Sequence, residues 1–279
     1  MKILLLGKSG LLGHALEKVL SKFYEICAPS HKECDITDQK ILEKFFADLK
    51  PDIIINSTGY TAVDDAETHK EEAFRINSDA VKNLAQISAG KNIPLVHFST
   101  DYVFNGKKPE GYSETDSPSP ISVYGASKAS GEEAITKNIK KYYLIRTAWL
   151  YGESGKNFVD TIINLASKSE GKSLKVVNDQ IGNPTYTLDL AQALLGLLKG
   201  KSYGIYHIVN SGQCSWYEFA QEIFRILGIP QKIAPITSCE LVRRAKRPKY
   251  SILKNTRLPP LRDWKEALAS YLKEKTLIL

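Results

Sequence analysis

The sequence predicts an α/β fold in which helices cover both faces of a doubly wound parallel sheet. Over the first 150 residues, short and mainly apolar runs alternate with helical segments, and each run has a continuous apolar stretch instead of strict apolar–polar alternation. A strand buried on both faces needs such a run, and alternation with helices is typical of β-α-β units. The predicted strands are KILLLG, YEICA, DIIINST, PLVHFST and YYLIRTAW.

Helices are predicted between the strands because apolar residues recur there at the spacing of one helix face. They cover Leu11–Ser21, Asp38–Leu49, Glu71–Ala89 and Ser122–Lys137. After Trp149 the pattern loosens into a less regular half that ends in a basic, proline-containing tail. We therefore expect one domain over residues 1–150 and a smaller C-terminal region over residues 151–279, partly interleaved with the first.

The composition and charge of the chain argue against a nucleic-acid-binding, a membrane-spanning, a secreted or a metal-binding protein. The chain has 279 residues and a net charge of +7, and its last 39 residues hold eleven Lys and Arg against three Asp and Glu. The remainder is close to neutral, which argues against a nucleic-acid surface. No apolar run approaches the roughly 20 residues of a membrane span, and the apolar run at the start is too short for a signal peptide, so we expect a cytoplasmic protein. The four cysteines are scattered without CxxC pairs, and no metal site is predicted.

A glycine-rich turn follows the first strand. Gly7, Gly10 and Gly13 form a G-x-x-G-x-x-G pattern that opens the first helix. Glycines let the backbone approach a pyrophosphate, and a helix N-terminus offers N–H groups and a partial positive charge. A tight turn without a ligand is the alternative. The order of strand, turn and helix favours an NAD(P)-binding Rossmann-type domain over residues 1–150.

The loop after the second strand bears on the choice of cofactor. An acidic residue there bonds the adenosine ribose in NADH-binding proteins and repels a 2′-phosphate. This chain has Ser30, His31 and Lys32 instead, which favours NADPH and leaves NADH possible. A solvated loop is the alternative. Asp35 and Ile36 follow, and we expect them to face the adenine ring.

A threonine and a Tyr-x-x-x-Lys pair predict a site for proton transfer. Thr100 ends the fourth strand, and Tyr124 and Lys128 are four residues apart in the fourth helix, on one face. A cation near a phenol favours its phenolate form and so makes it useful for acid–base chemistry. We expect Thr100, Tyr124 and Lys128 to be catalytic, with Thr100 bonding the same carbonyl oxygen. A chance pair without function is the alternative. His97, nearby, is interpreted as a core or strand-end histidine.

With these motifs the chain resembles the extended short-chain dehydrogenases/reductases, and among them the dTDP-4-dehydrorhamnose reductases. The resemblance runs from Lys2 to about Leu261. STDYVF and DQIGNPTYT are its most specific stretches. The others are ILLLGKSGLLG, NSTGYTAVDDAE, YGASKASGE, RTAWLYG and RPKYSIL.

The resemblance implies roles for individual residues. Thr100, Asp101 and Trp149 would contact the sugar nucleotide. Some members of the family bind magnesium through glutamates at a dimer interface. One of those glutamates falls at Ala15 here, which makes both magnesium and that homodimer doubtful. The residues implied to line the cofactor site are Gly10, Leu11, Leu12, Asp35, Ile36, Gly59, Tyr60, Thr61, Phe98, Tyr124 and Lys128.

The basic tail contains a candidate for the substrate diphosphate. Arginine bonds two phosphate oxygens at once through its planar fork, and Arg247 lies within RPKYS. We expect Arg247 near the substrate site, and expect Arg243, Arg244 and Lys246 to form a solvated face. The implied activity is the NADPH-dependent reduction of a 4-keto group on a dTDP-linked 6-deoxyhexose. The alternatives are another sugar-nucleotide reductase or epimerase, or a non-catalytic NADP-binding subunit resembling the methionine adenosyltransferase beta subunit.

Overall fold

A computed structural model describes residues 1–200 and 202–276. Its strands are β1 Lys2–Leu6, β2 Glu25–Cys27, β3 Ile53–Asn56, β4 Leu95–Thr100, β5 Tyr142–Thr147, β6 Leu150–Tyr151, β7 Leu174–Val177, β8 Ile181–Gly182, β9 Thr185–Tyr186, β10 Gly204–His207, β11 Cys214–Ser215 and β12 Ile233–Ile236. Its α-helices are α1 Leu11–Leu20, α2 Gln39–Leu49, α3 Val63–Ala66, α4 Lys70–Phe74, α5 Ala80–Gly90, α6 Val123–Asn138, α7 Phe158–Ser167, α8 Thr187–Lys199, α9 Trp216–Leu227 and α10 Trp264–Thr276.

The main sheet has six parallel strands in the order β10-β5-β4-β3-β1-β2. All five predicted strands are present, and the doubly wound Rossmann-type fold is confirmed. The chain runs outward from β1 to β2 and then returns to β3 on the other side of β1. This reversal opens a crevice at the carboxyl ends of β1 and β3, where doubly wound sheets bind their ligands.

Helices cover the sheet on both faces, as the apolar strands require. Ile3 and Leu5 of β1 pack in a core with residues of α1 and α8, and Leu4 and Leu6 pack in a second core with residues of α2, α5 and α6. The predicted helix over Glu71–Ala89 forms as α4, a π-helical turn at Arg75–Asp79, and α5.

The C-terminal half contributes both to the main sheet and to a smaller region. β10 extends the sheet beside β5, and α8 packs against α1. The smaller region has its own core of Tyr151, Tyr186, Phe219 and Tyr271, together with the two-stranded pairs β6–β9, β7–β12 and β8–β11. The boundary at residue 150 stays a prediction, and residues 201 and 277–279 of the second region lie outside the described part. Within residues 1–200 and 202–276, no helix has the length and apolar character to cross a membrane.

Candidate active site

The glycine turn forms an open cradle at the start of α1. Gly7 has a φ of +88°, and a Cβ on Gly13 would lie 2.0 Å from the Gly7 carbonyl oxygen, so both positions require glycine. Gly10 is the N-cap and has no side chain to accept hydrogen bonds from the first turn, which begins with Leu11 and Leu12. Its N–H groups can therefore bond phosphate oxygens, and this geometry fits the pyrophosphate of a dinucleotide.

The loop after β2 holds the residues expected near the adenosine. Ser30 donates from both its backbone N–H and its hydroxyl to Glu33 Oε2, each at 2.7 Å. His31 is 79% exposed at its side chain, with Nε2 3.8 Å from Asp35 Oδ2. Asp35 accepts hydrogen bonds from Thr37, and Ile36 is buried. Ser30 is thus already engaged by an acidic residue, whereas His31 projects into solvent.

Two further cations, neither of them predicted from the sequence, lie near the loop after β2. Arg75 Nη1 donates to Thr37 Oγ1 at 2.9 Å, and the Arg75 charge helps to lower the pKa of Asp35. Lys8, within the glycine turn, helps to lower the pKa of Glu33. The position of Lys8 between Gly7 and Gly10 is a signal in the sequence for a cation near the cofactor. Arg75 has no such signal, because only the fold brings it close to the loop after β2.

The loop after β3 is held by a side chain from the π-helical turn. Asn77 Oδ1 accepts from the Tyr60 N–H at 2.9 Å, and Asn77 Nδ2 donates to the Tyr60 carbonyl and to Ser127 Oγ, each at 3.0 Å. These bonds tie the segment Gly59–Thr61 to α6, next to Lys128. The loop, the helix and the glycine turn therefore meet at the switch point of the sheet.

Helix α6 begins directly against the end of β4. Ser122 caps the helix by accepting from the Gly125 N–H at 3.1 Å. A Cβ on Gly125 would lie 2.2 Å from the Tyr102 carbonyl oxygen, so the glycine permits this close approach. The rings of Tyr102 and Tyr124 meet edge to face with centroids 5.8 Å apart. This packing places Tyr124 beside the residues that follow β4.

Thr100, Asp101 and Tyr124 form a hydrogen-bonded cluster at the end of β4. Tyr124 hydrogen-bonds Thr100, whose Oγ1 donates to Asp101 Oδ1 at 2.9 Å. Asp101 is 2% exposed, and its Oδ2 has no hydrogen-bond partner among the residues that the structure describes. A buried oxygen without a partner is costly and favours a polar ligand that donates to it. A sugar hydroxyl has the chemistry to do so.

The pKa of Tyr124 differs from the sequence-based expectation. Burial raises it to about 12, against the lowering effect of the Thr100 hydrogen bond. The phenol therefore keeps its proton at neutral pH and is not held as a phenolate by Lys128. A protonated phenol is the form that can donate to a carbonyl oxygen. Burial also raises the pKa of Asp101, to about 6.

Lys128 reaches from α6 toward the crevice. It is 5% exposed, and its Nζ donates to the Phe98 carbonyl oxygen at 2.6 Å. A Cβ on Gly59 would lie 3.8 Å from the same Nζ, so the amine lies over the loop after β3. Burial lowers the pKa of Lys128 to about 8. This position suits a contact with the ribose of a dinucleotide whose pyrophosphate lies on the glycine turn.

Trp149 lies on the C-terminal side of the crevice, in an unusual backbone conformation. Its φ is +46°, which is rare for a bulky residue and costs free energy. Its ring stacks on Trp216 with centroids 3.5 Å apart. The strained backbone is consistent with a functional placement of Trp149.

Arg247 lies beside Tyr102 and is engaged by an acidic side chain. Its Nη1 and Nη2 donate to the two carboxylate oxygens of Asp64 at 3.1 and 2.8 Å, and Nη1 also donates to the Ala245 carbonyl. Hydrogen bonding to Arg247 is the main cause that lowers the pKa of Asp64 to about 2. Arg243 lies 3.7 Å from the same carboxylate. Arg247 is therefore near the cluster, but its fork is already occupied.

The residues that could ligate a metal ion are dispersed in the part of the chain that the structure describes. Residues 1–200 and 202–276 contain no group of three or more His, Cys, Asp or Glu side chains placed to hold a metal ion. Ala15, on the buried face of α1, lies in the core. The doubts about magnesium and about a homodimer stay predictions.

Comparison with known proteins decides the family. The model of the family described as the RmlD substrate binding domain matches residues 1–277. The chain belongs to the RmlD family. A dTDP-4-dehydrorhamnose reductase from Aggregatibacter actinomycetemcomitans is 37% identical, over 96% of this chain and 97% of that one. The spore coat polysaccharide biosynthesis protein SpsK of Bacillus subtilis strain 168 is 41% identical, over 99% and 98%.

Solved structures of RmlD relatives have the same fold. The crystal structure of dTDP-4-dehydrorhamnose reductase from Bacillus anthracis strain Ames, in complex with NADP, superimposes with a TM-score of 0.95. It is 38% identical and covers 98% of this chain and 99% of its own. The resemblance stated from the sequence motifs is thus confirmed. The roles of individual residues stay predictions, although the structure brings Thr100, Asp101, Tyr124 and Lys128 to one crevice with the glycine turn.

Proposed function

We propose that this RmlD-family chain is an NADPH-dependent oxidoreductase that reduces the 4-keto group of dTDP-4-dehydro-L-rhamnose to give dTDP-L-rhamnose. The observation that carries the proposal is the cluster of Thr100, Asp101 and Tyr124 at the end of β4, with Lys128 reaching toward the glycine turn. The relatives named as dTDP-4-dehydrorhamnose reductases, one of them solved with NADP, support the substrate and the cofactor.

The chain's own groups would bind and orient the cofactor. The uncapped first turn of α1 would bond the pyrophosphate, and Lys128 would bond the ribose hydroxyls from the opposite side. His31, Lys32, Lys8 and Arg75 are the cations available to a 2′-phosphate. When bound, NADPH supplies the hydride that goes to C4 of the sugar.

Tyr124 would supply the proton. Its raised pKa keeps the phenol protonated, so the Tyr124 hydroxyl can donate to the oxygen at C4 as negative charge develops there. Thr100 bonds Tyr124, and its hydroxyl, which donates to Asp101 Oδ1 in this structure, would turn to donate to the same oxygen and so stabilise that charge. The buried Asp101 Oδ2 would accept from a sugar hydroxyl and so orient the ring. Trp149 would pack against the sugar nucleotide from the C-terminal side.

The proposed product, a dTDP-activated deoxysugar, connects the chain to the synthesis of cell-surface polysaccharides. The SpsK relative is named for polysaccharide biosynthesis, and a dTDP-activated deoxysugar is a precursor for such polymers. A reaction that uses NADPH and a nucleotide sugar also supports the cytoplasmic location expected from the sequence. A non-catalytic NADP-binding subunit has no need for a protonated phenol bonded to Thr100 at the mouth of the crevice.

The test is direct turnover with product identification. Purified full-length protein is mixed with dTDP-4-dehydro-L-rhamnose and NADPH, absorbance of the reduced cofactor is followed, and the product sugar is identified by NMR. We expect stoichiometric loss of NADPH and formation of dTDP-L-rhamnose. NADPH binding without oxidation would support the regulatory-subunit alternative. Turnover only with another nucleotide sugar, or epimerisation without net oxidation, would support another member of the superfamily.

A further inference from the structure

His97 is fully buried in β4, yet both of its ring nitrogens have polar neighbours. The residue is 1% exposed. Asn56 Nδ2, at the end of β3, lies 3.1 Å from His97 Nδ1. Lys128 Nζ lies 3.3 Å from His97 Nε2. The ring therefore links the neighbouring strand to the lysine of the crevice.

The orientation of the Asn56 amide follows from its other contacts. The Thr58 backbone N–H points at Asn56 at 3.1 Å, and the Thr58 hydroxyl lies 2.6 Å from the same atom. A backbone N–H can only donate, so the Asn56 atom that it meets must be the amide oxygen. The NH2 group of Asn56 must then face His97. The reverse orientation would set two donors against each other.

This orientation determines the tautomer of His97. Because Asn56 Nδ2 can only donate, His97 Nδ1 must accept and carries no proton. A neutral imidazole has one N–H, which is then at Nε2 and points toward Lys128 Nζ. An ammonium has no lone pair to accept that hydrogen, whereas an amine can accept it and still donate to the Phe98 carbonyl oxygen.

We propose that Asn56 and His97 are positioning residues for Lys128: Asn56 fixes the Nε2–H tautomer of His97, and this N–H favours the uncharged amine of Lys128 while holding it against the Phe98 carbonyl. With a pKa of about 8, Lys128 exchanges between amine and ammonium near that pH, and dinucleotide binding shifts it to the ammonium because ribose hydroxyls offer acceptors at close range. The inference rests on the proposed function only for the contact between Lys128 and the cofactor.

The electrostatics agree with this arrangement. Burial is the main cause that lowers the pKa of His97 well below its ordinary range, so the ring is neutral, and the Lys128 charge adds to this only at pH values where Lys128 is an ammonium. Burial lowers the pKa of Lys128 to about 8, while Glu132, one turn further along α6, acts to raise it. The Glu132 carboxylate forms a bidentate pair with buried Arg146 of β5, which balances its charge. Tyr124, one turn earlier on α6, has a pKa of about 12 and so remains neutral in the pH range near 8 where Lys128 titrates.

The tautomer can be measured in the wild-type protein without substrate. The chain has five histidines, so protein labelled with ¹⁵N in the histidine rings gives a small set of two-bond ¹H–¹⁵N correlations, and His97→Gln identifies the signal of His97. We expect a neutral ring with its proton on Nε2 throughout the pH range of activity. A proton on Nδ1, or an imidazolium in that range, would overturn the proposal.

Asn56→Asp reverses the tautomer with little change of shape. The carboxylate oxygen in place of the NH2 group accepts from Nδ1–H, so Nε2 becomes an acceptor for a Lys128 ammonium. We expect the NADPH dissociation constant of the wild type to rise above a pH near the Lys128 pKa of about 8. In Asn56→Asp the pH at which the NADPH dissociation constant begins to rise should increase by about one pH unit. A shift of that size corresponds to one exchanged hydrogen bond.

Two measurements accompany this variant: one controls for the change in net charge, and the other reports the tautomer directly. Asn164→Asp, on the exposed side of α7, adds the same charge far from the crevice and should leave the inflection unchanged. The ¹⁵N spectrum of Asn56→Asp must show the proton on Nδ1. An unmoved inflection in Asn56→Asp, or a moved one with the proton still on Nε2, would contradict the proposal. Because binding and tautomer are measured without turnover, either result is independent of whether the sugar substrate is correctly assigned.

Discussion

Arg247→Ala tests whether the C-terminal region supplies a diphosphate contact. Three hydrogen bonds from the Arg247 guanidinium go to Asp64 and Ala245, so a phosphate must compete with Asp64 for the fork. A charge-assisted hydrogen bond contributes about 1.5 to 3 kcal/mol, which is roughly a 10- to 150-fold change in affinity. Because the contact with Asp64 is exchanged in the process, we expect the lower end, an increase of about tenfold in KM for the sugar nucleotide.

The assay compares KM values for the two substrates in matched variants. KM for NADPH should change little in Arg247→Ala, because the arginine lies on the Tyr102 side of the crevice. Asp64→Asn should keep or improve the sugar-nucleotide KM, since it releases the guanidinium. Arg244→Ala, an exposed change in the same segment, is the control. Loss of the Asp64 pair costs only about 1 kcal/mol of folding free energy, because solvent screens the partly exposed carboxylate. An unchanged sugar-nucleotide KM in Arg247→Ala would refute the reasoning and leave this arginine a structural tie.

The remaining predictions concern the cofactor and the pH profile. Lys128→Ala should weaken NADPH binding about tenfold or more and also lower kcat, since the amine would contact the ribose. Isothermal titration measures the binding and steady-state kinetics measure kcat. A variant that loses only thermal stability would contradict this prediction. His31→Asp and Lys32→Asp should lower the ratio of kcat/KM with NADPH to that with NADH, and a wild-type enzyme indifferent to the 2′-phosphate would remove this argument. Asp101 accepts with both oxygens, and most strongly, when it is ionised, and its pKa is about 6, so kcat/KM for the sugar nucleotide should rise as the pH increases through that value. In Asp101→Asn that rise should be absent, and its persistence would assign it to another group.

The fold was largely predictable because its signals are local. Each strand of the main sheet up to β5 is an apolar run, and each helix between them has an apolar face. Gly7, Gly10 and Gly13 fix the turn by their own backbone freedom. The sixth strand was not predicted to join the sheet, because the short segment Gly204–His207 does not indicate its partner. The π-helical turn at Arg75–Asp79 also has no periodic signal of its own.

The sequence predicted which residues form the candidate site, but it did not predict the contacts between them. Thr100, Tyr124 and Lys128 were found from short-range spacing. The pairing of Arg247 with Asp64 joins residues 183 positions apart, and the sequence suggested a free guanidinium there. The bond between His97 and Lys128 depends on how α6 lies over β4, so His97 was interpreted only as a buried histidine. The phenol pKa depends on burial, which a four-residue spacing does not determine.

The most direct test of the account is the rate of hydride transfer in Tyr124→Phe. Wild-type and variant proteins are saturated with NADPH, mixed with dTDP-4-dehydro-L-rhamnose, and followed by absorbance in a single turnover, with NADPH affinity measured in parallel. We expect unchanged cofactor affinity and a rate lowered by about 10² to 10⁴, the usual contribution of a positioned acid. A variant that turns over at close to the wild-type rate would show that Tyr124 is not the proton donor.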